Sequence, residues 1–235
     1  MPWGSATSGL ANVYSRPYLD GMAAREPIFN FSEAAPVRAA AVLIGLFALA
    51  RYTPFGRMPE IGNLLVLRPL SRTDGEGFVS VLGHALAHSS WMHVMANSAM
   101  MVVFAILVMR GARSLAIRQG RSARPVLAFL AVMVVGVVGG ALAQWAWWAA
   151  IGAVQASAVG ASGGVSALFA VAGYAIGGRD QMLKFGLAWL VINALLVVFP
   201  VMGGIAWAAH LGGFAAGILI APFVCAPSST VFKVT

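Results

Sequence analysis

A serine, two histidines and an asparagine lie within apolar segments of the chain, where polar side chains are costly and usually face a protein interior or a wet cavity. Ser162 stands in the glycine-rich sequence GASGG, and His210 follows in a later apolar segment. A serine hydroxyl attacks poorly until a base takes its proton, and an imidazole can do so near neutral pH. These residue types predict Ser162 as a nucleophile and His210 as its base.

His93 and Asn97 are four residues apart, so on a helix they share one face. An attack on a carbonyl group develops an oxyanion, which needs preorganised hydrogen-bond donors. We predict that His93, Asn97 and the backbone N–H of Ser162 supply those donors. None of the seven acidic residues is placed to complete a triad, since Asp180 is predicted on the opposite membrane face and the other six precede residue 91. The prediction is therefore a Ser–His dyad.

The composition indicates which elements must position these residues. Of the 235 residues, 60% are apolar and 9% charged, with a mean hydropathy of +0.85, whereas soluble domains carry about 25% charged residues. No charged residue occurs at 125–178 or 185–232, and a spanning helix needs roughly 20 apolar residues. We predict an all-α polytopic membrane protein, a bundle of six transmembrane helices at 36–52, 91–109, 125–148, 162–178, 182–199 and 205–223.

The same pattern predicts the organisation of the whole chain. Residues 1–35 carry early acids and no sustained apolar run, so we interpret them as a cytoplasmic N-terminal segment and not a secretory signal. Residues 36–224 form the six-span membrane domain, and 225–235 form a short cytoplasmic tail. Residues 53–90 are too polar to span the membrane and too apolar to be fully exposed to water, which favours a partly immersed surface loop between the first two spans.

Arginines predict the orientation. Five of them lie between residues 110 and 124 with no acid among them, which is typical of a cytoplasmic loop under the positive-inside rule. Both termini are then cytoplasmic, and the candidate catalytic residues lie towards the outer face. We expect a multi-pass protein of a bacterial inner (cell) membrane. The net charge of +8 is explained by this loop, so a nucleic-acid partner is not predicted.

Three stretches of the chain resemble the rhomboid family of intramembrane serine proteases. They are HALAHSSWMHVMAN at 84–97, GASG at 160–163 and AHLGGFAAG at 209–217. The resemblance, which covers roughly residues 36–224, implies cleavage of the transmembrane segments of membrane-protein substrates near the outer face. It also implies contact with membrane lipid and no metal or cofactor. By the resemblance Ser162 is the nucleophile, His210 the base, and His93 and Asn97 the oxyanion residues, whereas His84 and His88 are structural.

The chain departs from the family pattern at two places. Many members carry a Trp-Arg pair where this chain has Val79 and Ser80, so we predict that the loop before the second span is held differently. Many also carry, four residues after the nucleophile, a tyrosine that stacks on the catalytic histidine. Here that residue is Ser166, and we predict that its hydroxyl reaches an imidazole nitrogen and orients His210.

Other interpretations stay open at this stage. A catalytically inactive relative could bind transmembrane helices as an adaptor or quality-control factor, although it would have no chemical need for all four polar residues. A small transporter usually needs buried carboxylates, and the predicted spans contain none. Histidines at 84, 88 and 93 could suggest zinc but lack the HExxH spacing.

The pairs Gly173/Gly177 and Gly213/Gly217 indicate close helix packing that would bring Ser162 and His210 together.

Overall fold

The computed structural model describes residues 34–54, 58–72, 77–199 and 205–227. The predictions made for residues 1–33 and for the end of the tail lie outside these ranges. The described residues confirm the all-α class. The helices are α1 (Ala34–Tyr52), α2 (Pro59–Leu65), α3 (Gly77–Gly83), α4 (Trp91–Arg118), α5 (Pro125–Ile151), α6 (Ser162–Val198) and α7 (Trp207–Val224).

Five of the described helices, α1, α4, α5, α6 and α7, are long and apolar enough to cross a membrane. One of them supplies two spans. At about 1.5 Å per residue, the 37 residues of α6 would measure about 55 Å, nearly twice the hydrocarbon thickness of about 30 Å. The helix breaks at Gly177 (φ −150°) and at Gly178, whose φ of +70° favours glycine. The all-α, multi-pass membrane bundle is confirmed, and division of α6 at this break gives the six predicted spans.

Local signals fix where the helices begin and end. Ser90 is the N-cap of α4, and its Oγ accepts a hydrogen bond from the N–H of His93 at 3.2 Å. Pro125 occupies the first turn of α5, and Gly152 ends that helix with a left-handed φ of +66°. The span predicted at 91–109 lies within α4, and the helix continues beyond it to Arg118. Charged side chains end a membrane span, but arginine is a good helix former and does not end the helix.

Helices α5, α6 and α7 approach one another through small residues. A Cβ atom on Gly213 of α7 would collide with the backbone of Gly163 in α6, and a Cβ on Gly217 would lie 2.6 Å from the carbonyl oxygen of Ala167. On the other side, a Cβ on Gly140 of α5 would lie 3.3 Å from the Cα of Gly163. The backbones therefore touch directly next to Ser162.

The glycine prediction is only half right. Gly213 and Gly217 do form a helix contact, but their partners on α6 are Gly163 and Ala167. Gly173 instead packs against Met182 and Phe185 across the break, and Gly177 belongs to the break itself. The packing that brings Ser162 near His210 therefore lies closer to Ser162 than the sequence indicated.

The segment between α1 and α4 is folded against the C-terminal end of α5. It contains α2, α3 and two short 3₁₀ turns, Leu70–Arg72 and His84–Leu86. Leu67 forms an antiparallel backbone bridge with Ala158, and the indole N–H of Trp145 donates to the carbonyl of Arg68 at 2.7 Å. These bonds attach the loop to α5 and to the segment that precedes α6.

Candidate active site

Ser162 is the first residue of α6 and follows a tight turn at Gly160. Gly160 has φ +121°, a conformation that favours glycine, and a Cβ there would lie 2.7 Å from Nε2 of His93. No side chain caps the helix start at Ala161, so the first-turn N–H groups beside Ser162 are left to other partners. The turn thus brings the backbone of Gly160, two residues before Ser162, against the ring of His93.

The start of α4 presents His93 and Asn97 to this turn, as their spacing predicted. Nδ1 of His93 lies 3.0 Å from Oγ of Ser89. Asn97 is 1% exposed, and its Nδ2 has no hydrogen-bond partner in the described part of the chain. A Cβ on Gly160 would lie 3.6 Å from that Nδ2. A buried donor without a partner is costly, so this amide nitrogen is a candidate donor to an acceptor that lies beside it.

His210 lies in the first turns of α7 and is 7% exposed. Its Nδ1 is 2.8 Å from Oδ1 of Asn193, in the second half of α6, and its ring centroid is 5.8 Å from that of Trp189 at an interplanar angle of 39°. The backbone N–H of the preceding Ala209 donates to Oε1 of Gln144 at 3.2 Å. Two contacts from α6 therefore fix the imidazole, and one from α5 holds the backbone that precedes it.

The prediction that Ser166 orients His210 is wrong. Ser166 is fully buried, and its hydroxyl donates to the backbone carbonyl of Ser162 one turn earlier, at 2.7 Å. A serine in an apolar helix commonly satisfies its hydroxyl in this way. The side chain that contacts a ring nitrogen of His210, Nδ1, is instead Asn193.

All four predicted site residues line one cavity of about 550 Å³. Ser162, His210, His93 and Asn97 come from three helices that are distant in the sequence, and the structure brings them together. Among the described residues no carboxylate lines this cavity, whose polar lining also includes Ser89, Gln144, Ser157 and Trp189. The arrangement provides a hydroxyl, an imidazole and an unpaired amide donor around one space.

Sequence reasoning missed two residues that contact the site. Gln144 is the only strongly polar side chain in α5, and Asn193 is the only amide between Phe185 and Phe199. Both are buried, at 3% and 5% exposure. The general expectation that a polar side chain within a span faces the protein interior would have found them.

His84 and His88 lie outside the spans, beside the site. His84 is buried, its Nδ1 is 2.9 Å from the carbonyl of Ser80, and its own carbonyl accepts the N–H of Gly160 at 2.8 Å. Burial lowers the pKa of His84, and burial together with the neighbouring His93 lowers the pKa of His88 to about 4. Both rings are therefore neutral near pH 7. Nowhere in the described ranges do three His, Cys, Asp or Glu side chains gather as metal ligands would.

Comparison with known proteins places the chain in a family. A search of curated proteins finds no match to the chain. The family model for the Rhomboid domain matches residues 75–227, which is about two thirds of the chain. The match begins after α1. It includes the turn at Gly160, every residue that lines the cavity and the whole of α7. The chain therefore belongs to the rhomboid family.

Proposed function

We propose that this protein is an intramembrane serine endopeptidase that cleaves transmembrane segments of membrane-protein substrates. The observation that carries the proposal is the shared cavity of Ser162 and His210, with the unpaired Nδ2 of Asn97 on its wall. Membership of the rhomboid family supports the same chemistry. An inactive relative would gain nothing from keeping a buried donor without a partner, since that group costs stability.

In the proposed mechanism Oγ of Ser162 attacks the scissile carbonyl while Nε2 of His210 takes the hydroxyl proton. The carbonyl oxygen becomes an oxyanion and accepts hydrogen bonds from Asn97 Nδ2, His93 and the Ser162 N–H. For His93 to donate from Nε2, its Nδ1 must accept the hydroxyl proton of Ser89, which lies within hydrogen-bond distance. His210 then protonates the leaving amine, and a water molecule hydrolyses the acyl-enzyme by the same steps.

Membrane orientation completes the proposal. The cavity lies at the ends of α4, α6 and α7 that are opposite to the arginines of 110–124. The positive-inside rule places those arginines in the cytoplasm, which puts the cavity towards the outer face and gives substrates access from that side. A reporter fused after Arg118 should indicate cytoplasm, and one inserted near Gln155 should indicate the outer side. The reverse pattern would overturn this orientation.

The test of the function is a cleavage assay with purified protein in detergent and a model single-span substrate. Wild type should produce two discrete fragments, and Ser162→Ala should produce none while folding and expressing normally. Ser114→Ala, at the opposite end of α4, is the matched control and should cleave like wild type. A wild-type protein that binds the substrate but never cuts it would instead identify an inactive adaptor. Undiminished cleavage by Ser162→Ala would refute the serine mechanism.

A further inference from the structure

Asn193 is a buried polar residue that the Ser–His mechanism does not use. It lies in the second half of α6, where most of the side chains are large and aliphatic, and it is 5% exposed. Its amide makes two hydrogen bonds, one to the backbone carbonyl of Trp189 and one to the ring of His210. An amide at this depth is expensive unless its partners are fixed, so the pair of bonds calls for an explanation.

The first bond determines which way the amide points. A backbone carbonyl can only accept, so the atom 2.9 Å from the Trp189 oxygen must be the donor nitrogen Nδ2. The atom facing His210 is therefore the carbonyl oxygen Oδ1, which can only accept. The Nδ1 atom of His210, 2.8 Å away, must then carry the proton of that hydrogen bond.

A neutral imidazole carries one proton, so a proton on Nδ1 leaves the lone pair on Nε2. We propose that Asn193 is a positioning residue that holds His210 in this tautomer, with Nε2 available as the base for Ser162. The inference rests on the proposed function. The indole of Trp189 lies beside the same ring, one helical turn before Asn193, so a single face of α6 fixes both the tautomer and the tilt of the imidazole.

The amide keeps this role throughout the reaction. When Nε2 takes the serine proton, the imidazolium still donates from Nδ1 to Oδ1, and Asn193 itself neither gains nor loses a proton. A carboxylate in this place would stabilise the imidazolium more strongly, but it would also introduce a buried charge. A neutral acceptor therefore supplies orientation in a site where the described residues provide no carboxylate.

The first test compares substitutions of Asn193 in the cleavage assay. Asn193→Leu and Asn193→Ala remove the acceptor and should lower kcat roughly tenfold with KM nearly unchanged. Asn193→Asp restores an acceptor, and if protonated also a donor for the Trp189 carbonyl, so it should stay within a few-fold of wild type. Ala194→Leu, on the exposed neighbouring position, is the matched control and should behave like wild type. Wild-type kcat in both Asn193→Leu and Asn193→Ala would overturn the inference.

The second test reads the tautomer directly and does not depend on cleavage. The chain has four histidines, so ¹⁵N spectra of the histidine-labelled protein can be assigned by single substitutions. The His210 ring should carry its proton on Nδ1 in wild type and in Ser162→Ala, and should lose that preference in Asn193→Leu. A His210 protonated on Nε2 in wild type would refute the role of Asn193. Cleavage by Ser162→Ala would refute the proposed function alone, because the spectra would still decide the tautomer.

Discussion

The two halves of α6 are both apolar, yet they lie in opposite surroundings. From Gly163 to Ala175 nearly every residue is buried, and the backbone itself touches α5 and α7. After the break at Gly178 most side chains are exposed, including Leu187 at 66% and Leu195 at 52%. Only a narrow strip that contains Trp189 and Asn193 is buried there.

The difference follows from side-chain size. Glycine, alanine and serine dominate the first half and let helix backbones approach closely, whereas leucine, valine and isoleucine dominate the second half and present apolar surface outward. Ser162 thus lies on the half that cannot move without disturbing two neighbouring helices. The contacts to His210 come from the second half, which is buried only along one strip. The first half therefore holds Ser162 rigidly, and the second half contributes Asn193 and Trp189, which contact His210.

The largest change in kcat should follow loss of the Asn97 amide, which faces the start of the first half of α6. Asn97→Ala removes the unpaired Nδ2 and should lower kcat by up to about 10²–10³, the cost of one oxyanion donor in a serine protease. KM should change little, because the interaction forms mainly in the transition state. Asn63→Ala, an exposed asparagine of α2, is the control and should leave kinetics unchanged. A large rise in KM with constant kcat would mark Asn97 as a substrate-binding residue.

A methyl group placed against the first half of α6 and one placed within its second half should differ in their cost to stability. Gly213→Ala would place a Cβ into the backbone of Gly163 and displace α7 with His210, so we expect kcat to fall by up to about 10²-fold and thermal stability to drop. Gly186→Ala would meet only the ring edge of Phe214 at 3.2 Å, which requires a small adjustment. Gly45→Ala in α1 meets nothing within 4 Å and is the control.

The expected order of melting temperature is Gly45→Ala at or above wild type, Gly186→Ala slightly below it, and Gly213→Ala lowest. Alanine is the better helix former, so open positions should gain stability from the substitution. Equal losses at Gly186 and Gly213 would contradict the difference between the two halves.

The smallest effect is expected at Ser166. Ser166→Ala removes a hydrogen bond to the Ser162 carbonyl, worth about 0.5–1.5 kcal/mol at most, and leaves His210 with its Asn193 contact. Cleavage kinetics should stay within about two- to threefold of wild type, with a small loss of thermal stability. A tenfold lower kcat at unchanged stability would return the orienting role to Ser166 and weaken that of Asn193.

The sequence predicts well those features that depend on local chemistry. The starts of α4, α5 and α6 at Trp91, Pro125 and Ser162 agree with the structure, because a serine cap, a proline and a glycine turn each act within a few residues. The prediction that His93 and Asn97 share one face of α4 required only the periodicity of a helix. Residues from three predicted spans could be grouped at one depth in the membrane. Successive spans run in opposite directions, and this determines which helix ends lie on the same side of the membrane.

Features that depend on contacts between distant segments could not be predicted in this way. The predicted end of the fourth span at 178 agrees with the break in α6, but the sequence did not predict that the chain turns there without leaving the helix, through the left-handed φ of Gly178. The partner of Gly213 depends on how two helices cross, which periodicity does not determine. Ser166 was chosen from its position on the helix face of Ser162, but its nearest acceptor is the carbonyl of its own helix. Asn193 is seventeen residues from His210 on another helix, and only the packing places them together.

Covalent labelling tests the central claim most directly, because it reports which side chain is the activated nucleophile. Purified protein should be treated with a fluorophosphonate, digested and mapped by mass spectrometry. We expect one adduct, on the peptide that contains Ser162, with no adduct in Ser162→Ala and much slower labelling in His210→Ala. An adduct on a different serine, or none on Ser162 in a preparation that cleaves its substrate, would contradict the account.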